Sequence, residues 1–172
     1  MAGNDSEITM ADIDKLALEI SAPDGPGSGN WKMESSQTKR VNDEVMDALR
    51  KNNGKIPGEL EGVPALIITT TGAKTGKKRT LPLACQEIDG RLIIIASMGG
   101  APRNPPWFHN LVHCPDVLIE KDGESFSARA VVTEGEDRDR LFQTVCANLP
   151  VFATYQKRTD RIIPVIELIR HR

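Results

Sequence analysis

Two Asp-Gly dipeptides, each set between runs rich in apolar and β-branched residues, constrain the fold of this sequence most strongly. Asp89-Gly90 separates RTLPLACQEI (79–88) from RLIIIAS (91–97). Asp122-Gly123 lies inside DVLIEKDGESFSARAVVTE (116–134). Asp-Gly is typical of two-residue hairpin turns, because both central residues of such a turn adopt a positive φ. The sequence therefore predicts two β-hairpins and a mainly antiparallel sheet.

Further strands and helices are predicted around these hairpins. ALIITT (65–70) and RIIPVIELI (161–169) are strand-like. Apolar spacing and helix-end signals predict helices over 35–53, 104–115 and 136–149. The absence of alternating strand–helix–strand units argues against a Rossmann-type sheet. About six strands favour a mainly β fold, a small closed barrel flanked by helices, because closure leaves no exposed strand edge.

Composition indicates a globular protein and argues against several other classes. The 172 residues are 39% hydrophobic and 27% charged, with a formal net charge of −2. This acidic balance argues against a general nucleic-acid binder. No apolar run approaches the roughly 20 residues of a membrane-spanning helix. The first residues lack the features of a secretory signal, so the sequence predicts a cytoplasmic protein.

The first thirty residues differ from the rest of the chain. They are acidic, and they end in APDGPGSGN (22–30), a composition typical of flexible linkers. We therefore expect a flexible acidic tail over residues 1–30 and one barrel domain over residues 31–172.

Neither the cysteines nor the histidines predict a metal site. The three cysteines, at positions 85, 114 and 146, are odd in number and widely spaced, so we expect them to be reduced. His109 and His113 are four residues apart on a predicted helix, a spacing that can place two imidazoles on one face. Since no third ligand accompanies them, we predict no metal.

The segment TTTGAKTGKKR (69–79) concentrates four cations around two glycines directly after a strand. Gly72 and Gly76 permit positive φ, so that successive backbone N–H groups can converge on an anion. Lys74 and Arg79 add charge, and a guanidinium can bind phosphate or carboxylate through two hydrogen bonds. The order of residues matches neither a Walker loop nor GxGxxG. A solvated hairpin tip is the alternative interpretation.

A second glycine segment, SMGGAPRNPPW (97–107), also follows a strand. Its paired glycines predict another group of converging N–H donors, and Arg103 adds a cation. Asn104 is expected to cap a helix whose N-terminus favours an anion. Trp107 either lines the site with an apolar ring or fills the core. Together the two segments predict a clamp for a small anionic ligand, such as a cofactor phosphate, at one mouth of the barrel.

Three blocks, PALIITTTGAKTGKKRTLPL, IIIASMGGAPRNPPWFHNL and YQKRTDRIIPV, make the sequence resemble the deazaflavin-dependent nitroreductase family of flavin/deazaflavin oxidoreductases. They cover about residues 64 to 166. The resemblance implies a split β-barrel like that of FMN-binding proteins. It also implies that reduced coenzyme F420, a deazaflavin, donates hydride to a quinone, a nitro compound or an activated alkene. Because such a coenzyme carries its own hydride, the protein needs no nucleophile or metal.

The resemblance also implies which residues form the site. The implied coenzyme-binding residues are Lys74, Thr75, Arg79, Ser97, Met98, Gly99, Gly100, Ala101, Asn104 and Trp107. Tyr155, the only tyrosine, matches a tyrosine near the substrate side of the ring. It can donate the proton that follows the hydride, or hydrogen-bond an oxygen that gains charge. A solvent proton and a purely structural tyrosine are the alternatives.

Three positions depart from relatives of the family. Met98 stands where some relatives carry lysine, so one contact to an anionic group is missing here. Phe152 stands where well-known nitroreductases carry tyrosine. This difference weakens the inference that this chain reduces nitro compounds. Ala84 replaces a larger aromatic of some members.

Three alternative functions share the fold, the ligand or the basic segment with this interpretation. An FMN-dependent oxidoreductase would keep the fold and change the cofactor. A non-catalytic carrier would sequester the deazaflavin or a fatty ligand, and an interaction module would use the basic segment to meet an acidic partner. The expected partner is a small-molecule electron acceptor and not a nucleic acid. The sequence leaves open a homodimer and peripheral contact with the inner face of the membrane.

Overall fold

The computed structural model describes residues 35–54 and 63–172. The predicted tail at residues 1–30 lies outside these ranges, and the domain boundary at residue 31 stays a prediction. The described elements follow in the order α1 (Ser35–Lys51), β1 (Ala65–Thr71), β2 (Lys78–Ile88), β3 (Arg91–Ile95), a 3₁₀ turn (Met98–Gly100), α2 (Pro106–His113), β4 (Asp116–Lys121), β5 (Glu124–Val132), α3 (Gly135–Asn148), α4 (Val151–Lys157) and β6 (Val165–Arg170).

The six strands form a closed barrel in the order β1-β2-β3-β6-β5-β4, with every neighbouring pair antiparallel. This confirms the predicted fold class, a six-stranded split β-barrel flanked by helices. Both hairpins turn where the Asp-Gly pairs predicted. Asp89 and Gly90 have φ of 52° and 75°, and Asp122 and Gly123 have φ of 51° and 81°. All four therefore adopt the left-handed backbone that these turns require.

The interior of the barrel is filled by inward-facing side chains of alternate strand residues. Leu66, Ile68 and Ile94 are almost completely buried there. Helix α2 contributes Trp107 and Leu111 to the same cluster. Trp107 is thus a core side chain, 8% exposed, which agrees with the core-filling alternative. Each such apolar side chain contributes roughly 1.5–3 kcal/mol by leaving water.

Helices α3 and α4 pack on the outside of the barrel, and α1 packs on another part of it. The outer cluster under α3 and α4 contains Ile88, Ile93, Leu141, Phe142, Val145, Phe152, Tyr155, Ile163 and Val165. Met46 and Leu49 of α1 pack against Ala65 and Ile67 of β1. Among the described residues, no helix has both the length and the apolar character needed to cross a bilayer.

Three details differ from the sequence predictions. The last strand begins at Val165 and not at residue 161, because Pro164 cannot donate to a ladder and the carbonyls of Arg161 and Ile163 already accept side-chain hydrogen bonds. Helix α2 begins at Pro106 after Pro105, so Asn104 does not cap it and that prediction was wrong. Helix α4 was not predicted at all.

Candidate functional site

The two glycine segments lie at the same end of the barrel. Strands β1 and β3 are both antiparallel to β2, so they run in the same direction and their carboxyl ends point toward the same end of the barrel. The basic turn (residues 72–79) follows β1 and continues into the start of β2. The glycine loop (residues 97–101) follows β3. The arrangement on which the anion clamp depends is therefore present.

Asn110 of α2 connects the basic turn to the helix that closes this end of the barrel. Its side-chain oxygen accepts a hydrogen bond from the Ala73 N–H at 3.0 Å. Its side-chain nitrogen donates to Thr70 Oγ1 at 3.3 Å. Thr70 is completely buried. The turn is thus held against α2, which itself follows the glycine loop in the chain.

The backbone of the basic turn is shaped by hydrogen bonds within the turn. Gly76 has φ 68°, as its freedom permits, and its N–H donates to the Gly72 carbonyl at 2.8 Å. Gly72 does not have a positive φ. It is needed there because a Cβ would stand 2.8 Å from Thr75 Oγ1. The N–H groups of Gly72 and Lys77 also donate within the turn. This turn therefore offers an anion mainly its side-chain charge.

Within the described residues, no carboxylate neutralises the positive charge of the basic turn. Lys74, Lys77 and Arg79 are exposed and make no ion pair within the described residues, while Lys78 donates to Thr71 Oγ1 at 2.8 Å. Several arginines elsewhere are paired with carboxylates, for example Arg140 with Asp89 at 2.9 Å. A cluster of unpaired ammonium and guanidinium groups suits a phosphate or carboxylate ligand.

The glycine loop has an unusual backbone. Ser97 is right-handed, with φ −77° and ψ −39°, and Met98 is left-handed, with φ 45°. Gly99 and Gly100 continue with φ of 62° and 87°. A right-handed residue followed by a left-handed one makes successive N–H groups converge into an anion-binding concavity. Left-handed backbone at a non-glycine residue such as Met98 costs about 1–3 kcal/mol and clusters at functional sites.

Arg161, which precedes β6, donates several hydrogen bonds to the glycine loop. Its Nε donates to the Ala101 carbonyl at 2.8 Å, and its Nη2 donates to the Ser97 carbonyl at 2.8 Å. Its Nη1 donates to the Ala96 carbonyl at 3.2 Å and to Asn104 Oδ1 at 2.8 Å. Burial lowers the pKa of Arg161 from its ordinary value. Asn104, expected as a helix cap, thus serves as an acceptor for this guanidinium.

Tyr155 of α4 lies beside the glycine loop. Its side chain is 9% exposed and packs edge-to-face against Phe152, with ring centroids 5.7 Å apart. The guanidinium of Arg158 lies 5.6 Å from the Tyr155 ring centroid and donates to the Gly99 carbonyl at 3.2 Å. The packing gives Tyr155 a structural role, and its role as a proton donor stays a prediction.

Sequence reasoning left open the role of Arg161 and did not single out Arg158. From the sequence alone, TDR (159–161) either contacts the substrate or the coenzyme or forms a turn network of Asp160 and Arg161. Neither interpretation predicts the bonds of Arg161 to the glycine loop. The sequence signal was present, since no acidic residue stands three or four positions from Arg161. Asp160 is adjacent, but an arginine with no acidic residue three or four positions away can find its acceptors elsewhere in the fold.

No role in this site is assigned to the other residues that the sequence analysis considered. His109 and His113 are exposed on α2. All three cysteines are free, and burial raises the pKa of the Cys85 thiol to about 12. Ala84 is exposed on β2. In the described ranges, no three His, Cys, Asp or Glu side chains are grouped as metal ligands.

Comparison with known proteins places these features in a context. Residues 40–169 match the family model of F420H(2)-dependent quinone reductases. An F420H(2)-dependent quinone reductase of Mycobacterium tuberculosis (strain H37Rv) is 41% identical over 125 residues, which cover 70% of this chain and 84% of the relative. A putative F420H(2)-dependent quinone reductase of the same strain is 34% identical over 106 residues, covering 62% of this chain and 89% of that protein.

Two solved structures are similar to this chain in both sequence and fold. One is a reductase dependent on F420-H2, FDR-A, with a TM-score of 0.56, 38% identity and coverage of 61% of this chain and 93% of that chain. The other is described as a domain-swapped dimer, with a TM-score of 0.58, 32% identity and coverage of 77% and 98%.

Proposed function

The chain belongs to the F420H(2)-dependent quinone reductase family, and we propose that it binds reduced F420 between the basic turn and the glycine loop and reduces a quinone there. Family membership rests on the match over residues 40–169 and on relatives at 41% identity. It confirms the predictions of an oxidoreductase and of a deazaflavin coenzyme, which takes the place of FMN, the rival cofactor. The sites and roles of individual residues are our proposal.

The residues at this end of the barrel fit an anionic coenzyme. The basic turn presents Lys74, Lys77 and Arg79 without carboxylate partners in the described part of the chain. Thr75 stands among them with its hydroxyl accepting the Lys77 N–H, which stabilises the turn. The Ser97–Met98 pair has the backbone handedness of an anion-binding loop. The side-chain charge of the basic turn and the N–H donors of the glycine loop together support the binding of a phosphate between these two segments.

The protein contributes binding, orientation and exclusion of water. When bound, reduced F420 supplies the hydride. Helix α2 seals the barrel with Trp107 and Leu111, so that the wall of the site next to the core is dry. Gly99 has no side chain, which lets a ligand approach the main chain at this part of the loop. Holding two reactants in a fixed orientation is worth several kcal/mol of barrier.

We propose that Tyr155 donates the proton that follows the hydride, or that it hydrogen-bonds the oxygen that gains charge. Its backbone carbonyl contacts the position of Gly100, so Tyr155 lies next to the loop proposed to hold the coenzyme. The Arg158 guanidinium lies 5.6 Å from the Tyr155 ring centroid, so a cation is close to this ring. Proton transfer from solvent is the alternative, which the Tyr155→Phe variant described in the Discussion distinguishes.

An apolar acceptor is supported by exposed side chains at the same end of the barrel. Val112 of α2 is 60% exposed, and Ile162, which precedes β6, is 74% exposed. Quinones present a flat apolar body that suits such surfaces. Nitro compounds and activated alkenes as acceptors, a homodimer, a cytoplasmic location and peripheral contact with the inner membrane face are further proposals. The similar chain described as a domain-swapped dimer supports the homodimer.

Titration of the purified protein with F420 and FMN, followed by menadione reduction with reduced F420, tests this function. We expect tighter retention of F420 and rapid coenzyme reoxidation by menadione. Tighter retention of FMN would overturn the coenzyme assignment. Coenzyme binding without turnover across quinones, nitro compounds and enones would favour a carrier, and failure of both cofactors to bind would favour an interaction module.

A further inference from the structure

We propose that Arg161 is a positioning residue that sets the coenzyme-binding conformation of the glycine loop. This inference rests on the proposed function, because it assigns the loop to F420. Four of the five N–H donors of the Arg161 guanidinium go to this segment: to the carbonyls of Ala96, Ser97 and Ala101 and to Asn104 Oδ1. Both ends of the glycine loop are thereby fixed to one rigid planar group.

The direction of these bonds decides which side of the loop is available to a ligand. The carbonyls of Ala96, Ser97 and Ala101 point toward Arg161. The Met98 and Gly99 N–H groups donate to no acceptor within the described residues. A main chain whose carbonyls converge on a cation leaves neighbouring N–H groups free to face the opposite way. The right-handed to left-handed change at Met98 makes these N–H groups converge.

Arg161 is half-buried, yet no carboxylate among the described residues accepts a hydrogen bond from its guanidinium. Its four acceptors are three carbonyls and one neutral amide oxygen, with no carboxylate among them. Arg91 binds Asp137 and Glu167, and Arg50 binds Glu120. A guanidinium keeps its proton at any ordinary pH. Arg161 therefore places a full positive charge directly behind the loop, where it favours an anion on the other side.

Arg161 also connects the loop to the helix that carries Tyr155. It follows α4 by four residues, and Gly100 packs against the backbone of that helix. Gln156 of α4 donates to the Arg161 carbonyl at 2.7 Å, which fixes the backbone from which the guanidinium extends. The loop proposed to hold the coenzyme and the proposed proton donor Tyr155 are thus both connected to Arg161.

The test compares Arg161→Ala and Arg161→Lys with Arg140→Ala in the full chain. Arg140 is a matched control, since its guanidinium binds Asp89 and Asp137 near the opposite end of the barrel. F420 affinity is measured by fluorescence titration, and amide hydrogen exchange of residues 97–101 is measured without coenzyme. Arg161→Ala should bind F420 at least about tenfold more weakly, because four hydrogen bonds to a charged donor are lost. Exchange in the loop should rise.

Addition of millimolar guanidinium separates positioning from general destabilisation. We expect it to restore F420 affinity and loop protection in Arg161→Ala and to leave Arg140→Ala unchanged. Arg161→Lys, which keeps the charge but reaches fewer carbonyls, should be intermediate. Unchanged loop exchange in coenzyme-free Arg161→Ala, or a loss of affinity that guanidinium does not restore, would overturn the inference.

Two further outcomes are distinguishable. If Arg161→Ala does not fold, Arg161→Lys carries the test, and wild-type affinity and loop exchange in that variant would overturn the inference. If the wild-type protein does not bind F420, the proposed function itself fails, while altered loop exchange in Arg161→Ala would still report the structural contact.

Discussion

Gly100 lies so close to Tyr155 that a Cβ added to Gly100 would stand 2.5 Å from the Tyr155 carbonyl oxygen. The same Cβ would stand 2.9 Å from the Cβ of Arg158. Position 100 also has φ 87°, which disfavours any residue with a side chain. The glycine is thus required by space and by backbone conformation together, and it allows the loop to rest on α4.

Gly100→Ala should therefore destabilise the protein and weaken F420 binding. We expect the free energy of unfolding to fall by about 3 kcal/mol, from left-handed strain and overpacking together. Urea denaturation and F420 titration measure the two effects. Gly90→Ala is the matched control, because Gly90 has φ 75° but no atom within 4 Å of the added Cβ. It should cost about 1 kcal/mol and leave F420 affinity unchanged. Equal costs in the two variants would contradict this prediction.

Removal of one cation from the basic turn should weaken coenzyme binding and reduce its salt dependence. Lys74→Ala and Arg79→Ala each remove a charged donor that contributes roughly 1.5–3 kcal/mol when it binds an anion. F420 titrations at low and high salt measure both effects. Arg140→Ala serves as the control at the other end of the barrel. Wild-type affinity in both Lys74→Ala and Arg79→Ala would leave the anion clamp without support.

The link between the basic turn and α2 should matter for the site more than for the fold. Asn110→Ala leaves the Ala73 N–H without its acceptor, which costs about 1–2 kcal/mol, and releases the turn from α2. We expect a several-fold loss of F420 affinity in titration. Asn148→Ala removes a side-chain bond to Gln86 instead and should leave F420 affinity unchanged. A comparable loss of affinity in both variants would refute a specific role for Asn110.

Tyr155→Phe separates the two sources of the proton. If the phenol donates a proton or stabilises developing charge, turnover with menadione should fall by about 10²-fold or more, while F420 affinity stays close to that of wild type. Steady-state kinetics and coenzyme titration measure these two quantities. Phenylalanine preserves the packing against Phe152, so the fold should be kept. Unchanged turnover would assign the proton to water.

Burial of the Cys85 thiol predicts a loss of stability at high pH. The folded pKa is raised to about 12 from an ordinary value of 9.0, so the unfolded chain ionises first as pH rises. The Cys85 contribution is complete below pH 9 and is lost as pH rises toward 12, with a slope of up to roughly 1.4 kcal/mol per pH unit. Urea denaturation of wild type and Cys85→Ala between pH 8 and 11 should show a shallower slope in the variant. Parallel slopes would contradict the buried, protonated thiol.

Local sequence signals predicted the hairpins and the rim of the site well. The Asp-Gly turns are specified by the φ preferences of a few adjacent residues, and so is the Gly76 turn. The strand directions agree with the prediction that both segments lie toward one end of the barrel, whereas the anion clamp between them stays a prediction. The barrel closure itself depends on pairing of β3 with β6 and of β1 with β4, which no local pattern specifies.

The errors came where distant groups decide the structure. Helix α4 was missed because VFATYQK contains β-branched and aromatic residues with weak helix propensity, and its burial against Ile93 and Val165 supplies the stability. Asn104 was expected to cap α2, but the guanidinium of Arg161 takes its side-chain oxygen. Competition of this kind is invisible in a short window of sequence.

The pairing of Ile95 with Val165 has a consequence for synthesis of the chain on the ribosome. Every residue of the basic turn and the glycine loop is made more than fifty residues before Arg161 and β6, which hold the loop and close the barrel. A nascent chain that has left the exit tunnel only as far as α3 carries the basic turn and the glycine loop without Arg161 and β6. Coenzyme capture should therefore wait until Arg161 and β6 have left the tunnel, and truncation before residue 161 should yield a product that does not retain F420.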